Sequence, residues 1–284
     1  MSVKQLMIDA IDLHAHCAPN DIVESRVDAV ELAQQATAAG MKGVVLKNQL
    51  FGSAPVAWLA NKYADSSALI GALVMNNASG GLNADVVAAQ ARLGAKVVWL
   101  PTISAAEHIR TRSKGKGNPE NPDNGIAVID KDGKLVPEVN RILAVIKKNK
   151  MALATGHVSK AEVFAVAPEA LKQKINVIIT HPFGSANLLT LEEGRELVKL
   201  GAYIEFLFAH CMPPMLVSPE KMAGLIKNLG VEHCIIGTDF GQDFNPPPTE
   251  GFRMMLSLML KFGLSEDELT TIVKVNPSKI LGMT

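Results

Sequence analysis

Short apolar runs alternate with longer stretches of helical pattern along the whole chain. The runs are rich in Val, Ile and Leu and are continuously apolar, which is typical of strands buried on both faces of a parallel sheet. They lie at residues 7–14, 43–47, 69–75, 95–100, 152–156, 176–180, 202–208 and 234–237. Strands that alternate with helices predict crossover connections. Eight such units match an α/β fold of the (β/α)8 or TIM barrel type.

The predicted helix starts fit this arrangement. Four of them have a Ser or Thr followed three residues later by Glu, which is the spacing of a capping box. They are Ser104–Glu107, Ser159–Glu162, Thr190–Glu193 and Ser265–Glu268. Ser218 precedes a proline, which is favoured at the first position of a helix. Several of these caps come a few residues after a predicted strand, as the βα-loops of a barrel require.

One segment interrupts the rhythm, at residues 103–137 after the fourth predicted strand. It is too long for a plain βα-loop, and a hairpin is predicted over residues 127–136 with its turn near Asp132 and Gly133. We interpret the segment as an insertion on the C-terminal face of one barrel domain that spans residues 1–284. Its residues 108–116 are locally basic. They are interpreted either as a lid that recognises an acidic substrate or as a solvated loop.

Composition narrows the function classes. The 284 residues are 48% apolar, and 28 basic residues balance 28 acidic ones. Nucleic-acid binding usually requires a strongly basic face, so neither nucleic acid nor a membrane surface is expected as a partner. No apolar run reaches the ~18 residues of a membrane span, and the N-terminus lacks a signal-peptide pattern. Three widely spaced cysteines offer no disulfide framework, which favours a reducing, cytoplasmic location.

Metal-binding residue types cluster at the ends of the predicted strands. The first strand ends with His14 and His16, which point to the same face because successive strand side chains alternate. The fifth strand ends with His157, the sixth with His181 and the eighth with Asp239. All strands of a parallel barrel open at one face with their C-terminal ends. Four of the seven histidines and one carboxylate are therefore predicted to meet there.

Imidazole nitrogen and carboxylate oxygen together suit zinc, manganese, iron or nickel. A metal in such a site lowers the pKa of a bound water to about 7, and an aspartate beside that water can take its proton. The residues therefore predict one or two divalent ions, with zinc as the first expectation, and a general base at Asp239.

The order of these residues resembles the amidohydrolase superfamily, near its phosphotriesterase-like members. The resemblance spans residues 12–282 and includes the closing segment at residues 276–282. It implies that His14, His16 and Asp239 bind the more buried metal. It also implies that His157 and His181 bind a second metal, and that Asp239 is the general base.

One position departs from the superfamily pattern. Binuclear members place a bridging lysine carbamate or glutamate at the end of strand 4, where this chain has only apolar residues and Thr102. Lys47, at the end of the second predicted strand, is the candidate replacement. Burying a lysine is costly unless it is paired or modified. Three interpretations stay open: a bridging carbamate derived from CO₂, a cation for an anionic substrate group or developing negative charge, and a lysine at the solvent rim.

Further polar residues lie near the predicted strand ends. Glu205 stands inside an apolar strand and is expected either to point into the mouth and bind substrate or to pair with a cation. His210, just past that strand, either contacts substrate or is an ordinary loop residue. His108 and His233 are expected at the surface, and Asn48 and Thr238 flank the site.

Three functions follow from this site. The leading hypothesis is hydrolysis of an amide, ester, lactone or phosphoester bond in a small molecule by metal-activated hydroxide. The second is a metal-dependent decarboxylation or other lyase reaction on the same barrel. The third is a barrel that binds a metal or small ligand without turnover. Because the outer helices of barrels often pair, a homo-oligomer is a further expectation.

Overall fold

The computed structural model describes residues 2–20, 22–66, 68–112, 121–184, 189–213, 215 and 217–283. The strands are β1 (Ile11–Ala15), β2 (Gly43–Leu46), β3 in two segments (Leu69–Ile70 and Ala72–Val74), β4 (Val97–Trp99), β5 (Ala152–Ala154), β6 (Val177–Ile179), β7 (Tyr203–Leu207) and β8 (Cys234–Gly237). The helices are α1 (Val3–Met7), α2 (Ala29–Ala38), α3 (Ala54–Tyr63), α4 (Ala84–Arg92), α5 (Ala106–Arg112), α6 (Pro137–Lys148), α7 (Lys160–Lys172), α8 (Leu191–Lys199), α9 (Pro219–Leu229), α10 (Pro248–Lys261), α11 (Glu266–Thr270) and α12 (Asn276–Leu281).

The strands pair in parallel and in chain order from β1 to β8. The first segment of β3 pairs with β2 and the second with β4. Gly71 separates the two segments, and a Cβ there would lie 2.4 Å from the backbone of Ala54, so glycine allows α3 to start against the strand. The N–H of Asp239 donates to the carbonyl of His14, and the N–H of His16 to that of Phe240, both at 2.7 Å. These bonds join the ends of β1 and β8, and the predicted (β/α)8 barrel is confirmed.

Two groups of buried apolar residues hold the barrel together. One group fills its interior and includes Leu13, Val45 and Trp99. The other lies between the strands and the surrounding helices and includes Val98 and Phe252. Neighbouring residues of one strand, such as Val98 and Trp99, thus belong to different groups, as expected for strands buried on both faces.

The predicted strands are confirmed in number and order within the described residues, but their bounds are shorter. The prediction that the first strand starts at residue 7 is wrong. Met7 ends helix α1, and β1 begins only at Ile11. Asp9 lies between the two elements with φ +61°. The apolar character of Met7 reflects helix packing, since its side chain is buried in the shell around the strands.

Three of the four predicted capping boxes are confirmed, at Ser159, Thr190 and Ser265. Ser218 also caps its helix as predicted. The prediction for Ser104 is wrong, because α5 begins at Ala106. The hydroxyl oxygen of Ser104 instead accepts the backbone N–H of Asn77 at 3.1 Å.

The insertion after β4 contains α5 and the predicted hairpin. Ile129 and Leu135 pair in antiparallel fashion, and Gly133 in the turn has φ +76°. The N–H of Val128 donates to the carboxylate of Glu162 on α7 at 2.7 Å, which ties the hairpin to the barrel. Residues 113–116 of the basic stretch lie outside the described residues, so the lid and solvated-loop interpretations both stay predictions.

The described part of the chain contains no helix that is long and apolar enough to cross a membrane. Cys17, Cys211 and Cys234 are free thiols. Burial raises the pKa of the Cys17 thiol to about 12, so this thiol stays protonated near the site.

Candidate metal centre

Three of the predicted ligands converge at the C-terminal end of the barrel. Nε2 of His14 and Nε2 of His16 lie 3.1 Å and 2.9 Å from the same atom, Oδ1 of Asp239. The three ligand atoms lie within 4.8 Å of one another. The side chain of His14 is fully buried, whereas 22% of the Asp239 side chain is exposed. The cluster is therefore closed beneath and open towards solvent at Asp239.

A bulge in β1 aims His14 into the barrel. The pairing of β1 with β2 shifts register between Asp12 and Ala15. Strict alternation would send Leu13 and His14 to opposite faces of the strand. Yet Leu13 belongs to the interior group and His14 contacts Trp99 of that same group. A bulge redirects a side chain in this way, and bulges are frequent beside functional sites.

Asp12 holds the ends of β1 and β8 together beneath His14. Its Oδ1 accepts the backbone N–H of His14 at 3.0 Å and that of Thr238 at 3.2 Å, and its Oδ2 accepts the Thr238 hydroxyl at 2.6 Å. Burial raises the pKa of Asp12 to about 7, although these hydrogen bonds oppose the rise. Thr238 therefore flanks the centre as the sequence predicts. Asp239 follows it with φ +53°, a conformation that few non-glycine residues adopt.

Lys47 lies beside the cluster at the end of β2. Its Nζ is 2.9 Å from Nε2 of His14, and the residue is only 3% exposed. The interpretation of Lys47 as a rim lysine is therefore wrong. Burial lowers the pKa of its ammonium group, against the opposing effect of Asp239 and Glu205. Its Nζ also lies 5.8 Å from the centre of the Trp99 ring.

Glu205 contacts the other nitrogen of His14. Its Oε1 lies 3.1 Å from Nδ1 of His14, and both side chains are fully buried. When His14 is neutral, a carboxylate at Nδ1 accepts the proton there and leaves the lone pair on Nε2, the nitrogen that faces Asp239. The structure thus places Glu205 behind a predicted ligand. Binding of substrate by Glu205 stays a prediction.

Charged side chains on both sides of His14 act on its pKa in opposite directions. Burial and the Lys47 ammonium group lower the pKa of His14, but Glu205 and Asp239 outweigh them and raise it to about 9. Burial lowers the pKa of His16 despite the nearby Asp239. Burial tends to raise the pKa of Asp239, but His14, His16 and Lys47 hold it well below its usual value. The carboxylates of Glu205 and Asp239 thus favour a positive charge at or beside His14.

These residues fit a divalent metal. Two imidazole nitrogens and one ionised carboxylate oxygen are a ligand set for zinc and its neighbours in the first transition row. The carboxylate of Glu205 at the far nitrogen of His14 is the common partner of a metal-binding histidine. A bound cation would supply the same positive charge that a proton on His14 supplies.

His157 and His181 lie next to this cluster. The ring centre of His181 is 6.1 Å from that of His14 and 5.0 Å from that of His157. Burial, with the nearby Lys47, holds the pKa of His157 well below its usual value. Burial, with the nearby His210, does the same for His181. Both imidazoles are therefore neutral, which is the form that binds metals.

His108 and His233, which were expected at the surface, are only partly exposed. His108 is half-buried, with its Nδ1 2.9 Å from Nδ1 of His157. His233 is also half-buried, and its Nδ1 lies 3.2 Å from the carbonyl oxygen of Ala202.

His210 packs edge-on against His181, with ring centres 5.0 Å apart. It is 5% exposed, so it is not an ordinary surface-loop residue. With His181 and Glu205 it lines a cavity of about 10 Å³, roughly the space of one water molecule. Its contact with substrate stays a prediction.

A cavity of about 290 Å³ opens over the centre. His16, Lys47, His157 and Asp239 form its polar floor, and the exposed apolar side chains of Ile22, Val23 and Phe244 stand at its rim. These rim residues lie in the loops that follow β1 and β8. The two loops are joined by backbone hydrogen bonds from Asp243 to Glu24 and from Arg26 to Gly241. A larger surface cavity of about 590 Å³, between Asp9 and Lys274, contains none of the predicted ligands, so size alone does not mark the site.

Sequence reasoning missed three residues of the centre: Asp12, Trp99 and His108. Asp12 had a signal, since it stands at the alternate position before His14 and His16. Trp99 had no such signal in the sequence, because it is an apolar residue of an ordinary strand. His108 had none either, because it lies in an insertion whose course the sequence does not predict.

The chain belongs to the family DUF6282, a family of unknown function, whose model matches residues 9–205. This match covers β1 to β6 and part of β7, and with them four of the five predicted ligands. A comparison with curated protein sequences gave no match.

Solved structures share the fold over nearly the whole chain. An amidohydrolase from Pseudomonas aeruginosa has a TM-score of 0.65 at 13% identity, with 99% of this chain and 98% of that chain covered. A metallopeptidase from Rhodobacter sphaeroides, bound to a phosphinate mimic of the dipeptide L-Ala-D-Ala, has a TM-score of 0.59 at 13% identity, with 97% and 99% covered. A TatD homologue from Escherichia coli has a TM-score of 0.57 at 14% identity, with 97% and 99% covered. The fold implied by the resemblance to amidohydrolases is confirmed.

Proposed function

We propose that the protein is a metal-dependent hydrolase that cleaves an amide, ester, lactone or phosphoester bond in a small molecule. The convergence of His14, His16 and Asp239 within 4.8 Å, at the floor of an open cavity, carries this proposal. The amidohydrolase and metallopeptidase names of proteins with the same fold support it. We expect zinc as the ion, since nitrogen ligands predominate. The three free cysteines support a reducing, cytoplasmic setting.

The chain's own residues have distinct roles in this proposal. His14, His16 and Asp239 would hold the ion, which when bound polarises a substrate oxygen and makes water acidic enough to react at neutral pH. Asp239 is the partly exposed ligand and has a carboxylate oxygen that can orient a water and take its proton. His157, on the floor of the same cavity, can bind the second ion that the resemblance implies or contact substrate.

Lys47 has two roles left in this proposal. As a carbamate, its Nζ would bond to the carbon of CO₂ with loss of a proton, and the new carboxylate would bridge two ions. Burial favours the neutral amine, which is the form that reacts with CO₂. As an ammonium group, Lys47 would bind an anionic part of the substrate or stabilise negative charge that develops during the reaction. A ¹³C signal after incubation with labelled bicarbonate, absent in Lys47→Met, would identify the carbamate.

The decisive experiment compares Asp239→Asn with Asp243→Asn, an exposed aspartate of the same loop. Wild-type protein should contain at least one equivalent of divalent metal and hydrolyse a member of an ester, lactone, dipeptide and phosphotriester panel. We expect Asp239→Asn to stay folded and to lose about 10²–10⁴-fold in activity, the usual contribution of a general base. Asp243→Asn should match wild type. Full activity in metal-free protein would disprove the proposal, and turnover of carboxylated aromatics alone would favour the lyase reaction.

A further inference from the structure

His108 reaches the centre from outside the strand ends. It lies on α5, the helix that begins the insertion after β4. Its Nδ1 is 2.9 Å from Nδ1 of His157, and the two ring centres are 4.9 Å apart. Two imidazoles at this distance, when neutral, share one proton or both present lone pairs to a cation.

The insertion holds α5 in place by backbone hydrogen bonds. The N–H of Ala106 donates to the carbonyl of Ile126 at 3.0 Å, and the N–H of Ile126 donates to the carbonyl of Ser104 at 2.7 Å. The hairpin that follows is tied to α7 through Val128 and Glu162. His108 therefore belongs to an anchored element.

His181 provides a second, independent observation. It is 5% exposed, and its buried Nδ1 has no hydrogen-bond partner among the residues that the structure describes. A buried polar nitrogen without a hydrogen-bond partner destabilises the fold, so a native site is expected to supply a partner. Its ring centre lies 5.0 Å from that of His157.

We propose that His108 is a third ligand of the second metal site to which the resemblance assigns His157 and His181, beside the His14–His16–Asp239 site. The inference rests on the proposed function, because it assumes that the barrel mouth binds metal. β4 ends without a carboxylate or lysine, and the helix that follows it contributes an imidazole instead. Three nitrogen ligands favour zinc, cobalt, nickel or copper over magnesium, calcium or manganese.

The geometry also predicts a movement on binding. Among the described residues, the three ligand atoms that already lie within 4.8 Å of one another are those of His14, His16 and Asp239. His108 and His157 are in contact, so His181 is the residue that must turn towards them. The second ion should therefore bind more weakly than the first.

The test is metal stoichiometry in His108→Phe, with His233→Phe as the matched control. His233 is also half-buried and hydrogen-bonded, but at the start of β8, away from the mouth. Protein stripped with a chelator is reloaded with Zn²⁺ or Co²⁺, desalted and analysed for metal. We expect two equivalents in wild type and His233→Phe, and one in His108→Phe, with the affinity for the weaker ion reduced at least about tenfold. His108→Asp, which keeps a ligand atom, should retain two.

The outcomes separate the two proposals. One equivalent in wild type and in His108→Phe alike would overturn the second site and leave the proposed function standing. Absence of any bound metal in wild type would overturn the proposed function itself. If His108→Phe does not fold, loss of the second equivalent in His108→Gln decides the question, and its retention there overturns the inference.

Discussion

Both ring nitrogens of His14 contact charged side chains. Nδ1 faces Glu205, and Nε2 lies near both Asp239 and Lys47. Because the carboxylate of Glu205 is fully buried, it fixes both the proton position and the ring orientation of His14. A carboxylate behind a metal-binding histidine also makes the histidine a stronger ligand.

Glu205→Gln should therefore weaken metal binding while leaving the ligand set intact. The amide can still accept the proton of Nδ1, but it lacks the negative charge that strengthens the ligand. We expect the dissociation constant of the first ion, measured by competition with a chelating dye, to rise by about 10–100-fold.

Glu162→Gln is the control for this change. Glu162 is also buried, at 4% exposure, but it accepts the N–H groups of Val128 and Ser159 away from the centre. The Glu162→Gln variant should have a lower thermal stability and an unchanged metal affinity. Equal metal affinity in Glu205→Gln and wild type would mean that Glu205 only fills space behind His14.

The sequence predicts some site residues better than others for a physical reason. His14, His16, His157, His181 and Asp239 stand directly at strand ends, and a parallel barrel brings all such ends to one face. Glu205 stands inside a strand, where the sequence does not reveal which side chain it meets. His108 depends on the course of an insertion, which has no periodic pattern to fix it. Lys47 was predicted near the site, and its burial excludes the rim interpretation.

At the scale of elements, the loop after β8 packs directly onto the end of β1. Gly241 has φ +150°, and a Cβ there would lie 2.3 Å from the carbonyl oxygen of His16. The neighbouring N–H of Arg26 donates to the carbonyl of Gly241 at 2.7 Å. Only glycine allows the two loops to approach this closely beside the proposed metal centre.

Gly241→Ala should displace His16 and reduce both stability and metal affinity. The clash involves backbone, which cannot turn aside as a flexible side chain can. We expect a loss of more than about 1 kcal/mol in the free energy of unfolding, above the usual cost of alanine at a positive φ. Chemical denaturation and metal titration measure the two effects.

Gly94→Ala is the comparison. Gly94 has φ +95°, and a Cβ there would meet nothing within 4 Å. The Gly94→Ala variant should lose only the free energy that alanine costs at a positive φ, and it should keep full metal affinity. If the two variants behave alike, the close approach at Gly241 is not what holds His16.

The elements themselves follow well from the hydrophobic pattern. Eight apolar runs gave the strands in the right order because each is buried on both faces. The bounds were less accurate where one apolar residue serves a helix, as at Met7. The bulge in β1 and the break at Gly71 cannot be predicted from the hydrophobic pattern, because they depend on what packs against the strand.

At the scale of the whole molecule, the proposed metal links the first strand to the last. His16 and Asp239 are 223 residues apart in the chain, and the backbone bonds between β1 and β8 lie beside them. A ligand that binds only the folded state stabilises it by an amount set by its concentration relative to its dissociation constant. The metal should therefore stabilise the barrel where its two ends meet.

Removal of metal should lower the melting temperature. At a free metal concentration of 100 times the dissociation constant, the stabilisation is about 2.7 kcal/mol, which corresponds to roughly 5–10 °C for a protein of this size. Calorimetry with and without a chelator measures it. Asp239→Asn should show little change on chelation, and an equal shift in that variant would place the stabilising ion elsewhere.

Trp99 gives the molecule an internal optical reporter. The chain has two tryptophans. Trp99 is fully buried with its ring centre 5.4 Å from that of His14, whereas Trp58 is 64% exposed. Iodide in solution should quench the fluorescence of Trp58, and Cu²⁺ or Co²⁺ bound at the proposed site beside His14 should quench that of Trp99. Light emission from the unlabelled protein therefore follows occupancy of the centre separately from events at the surface.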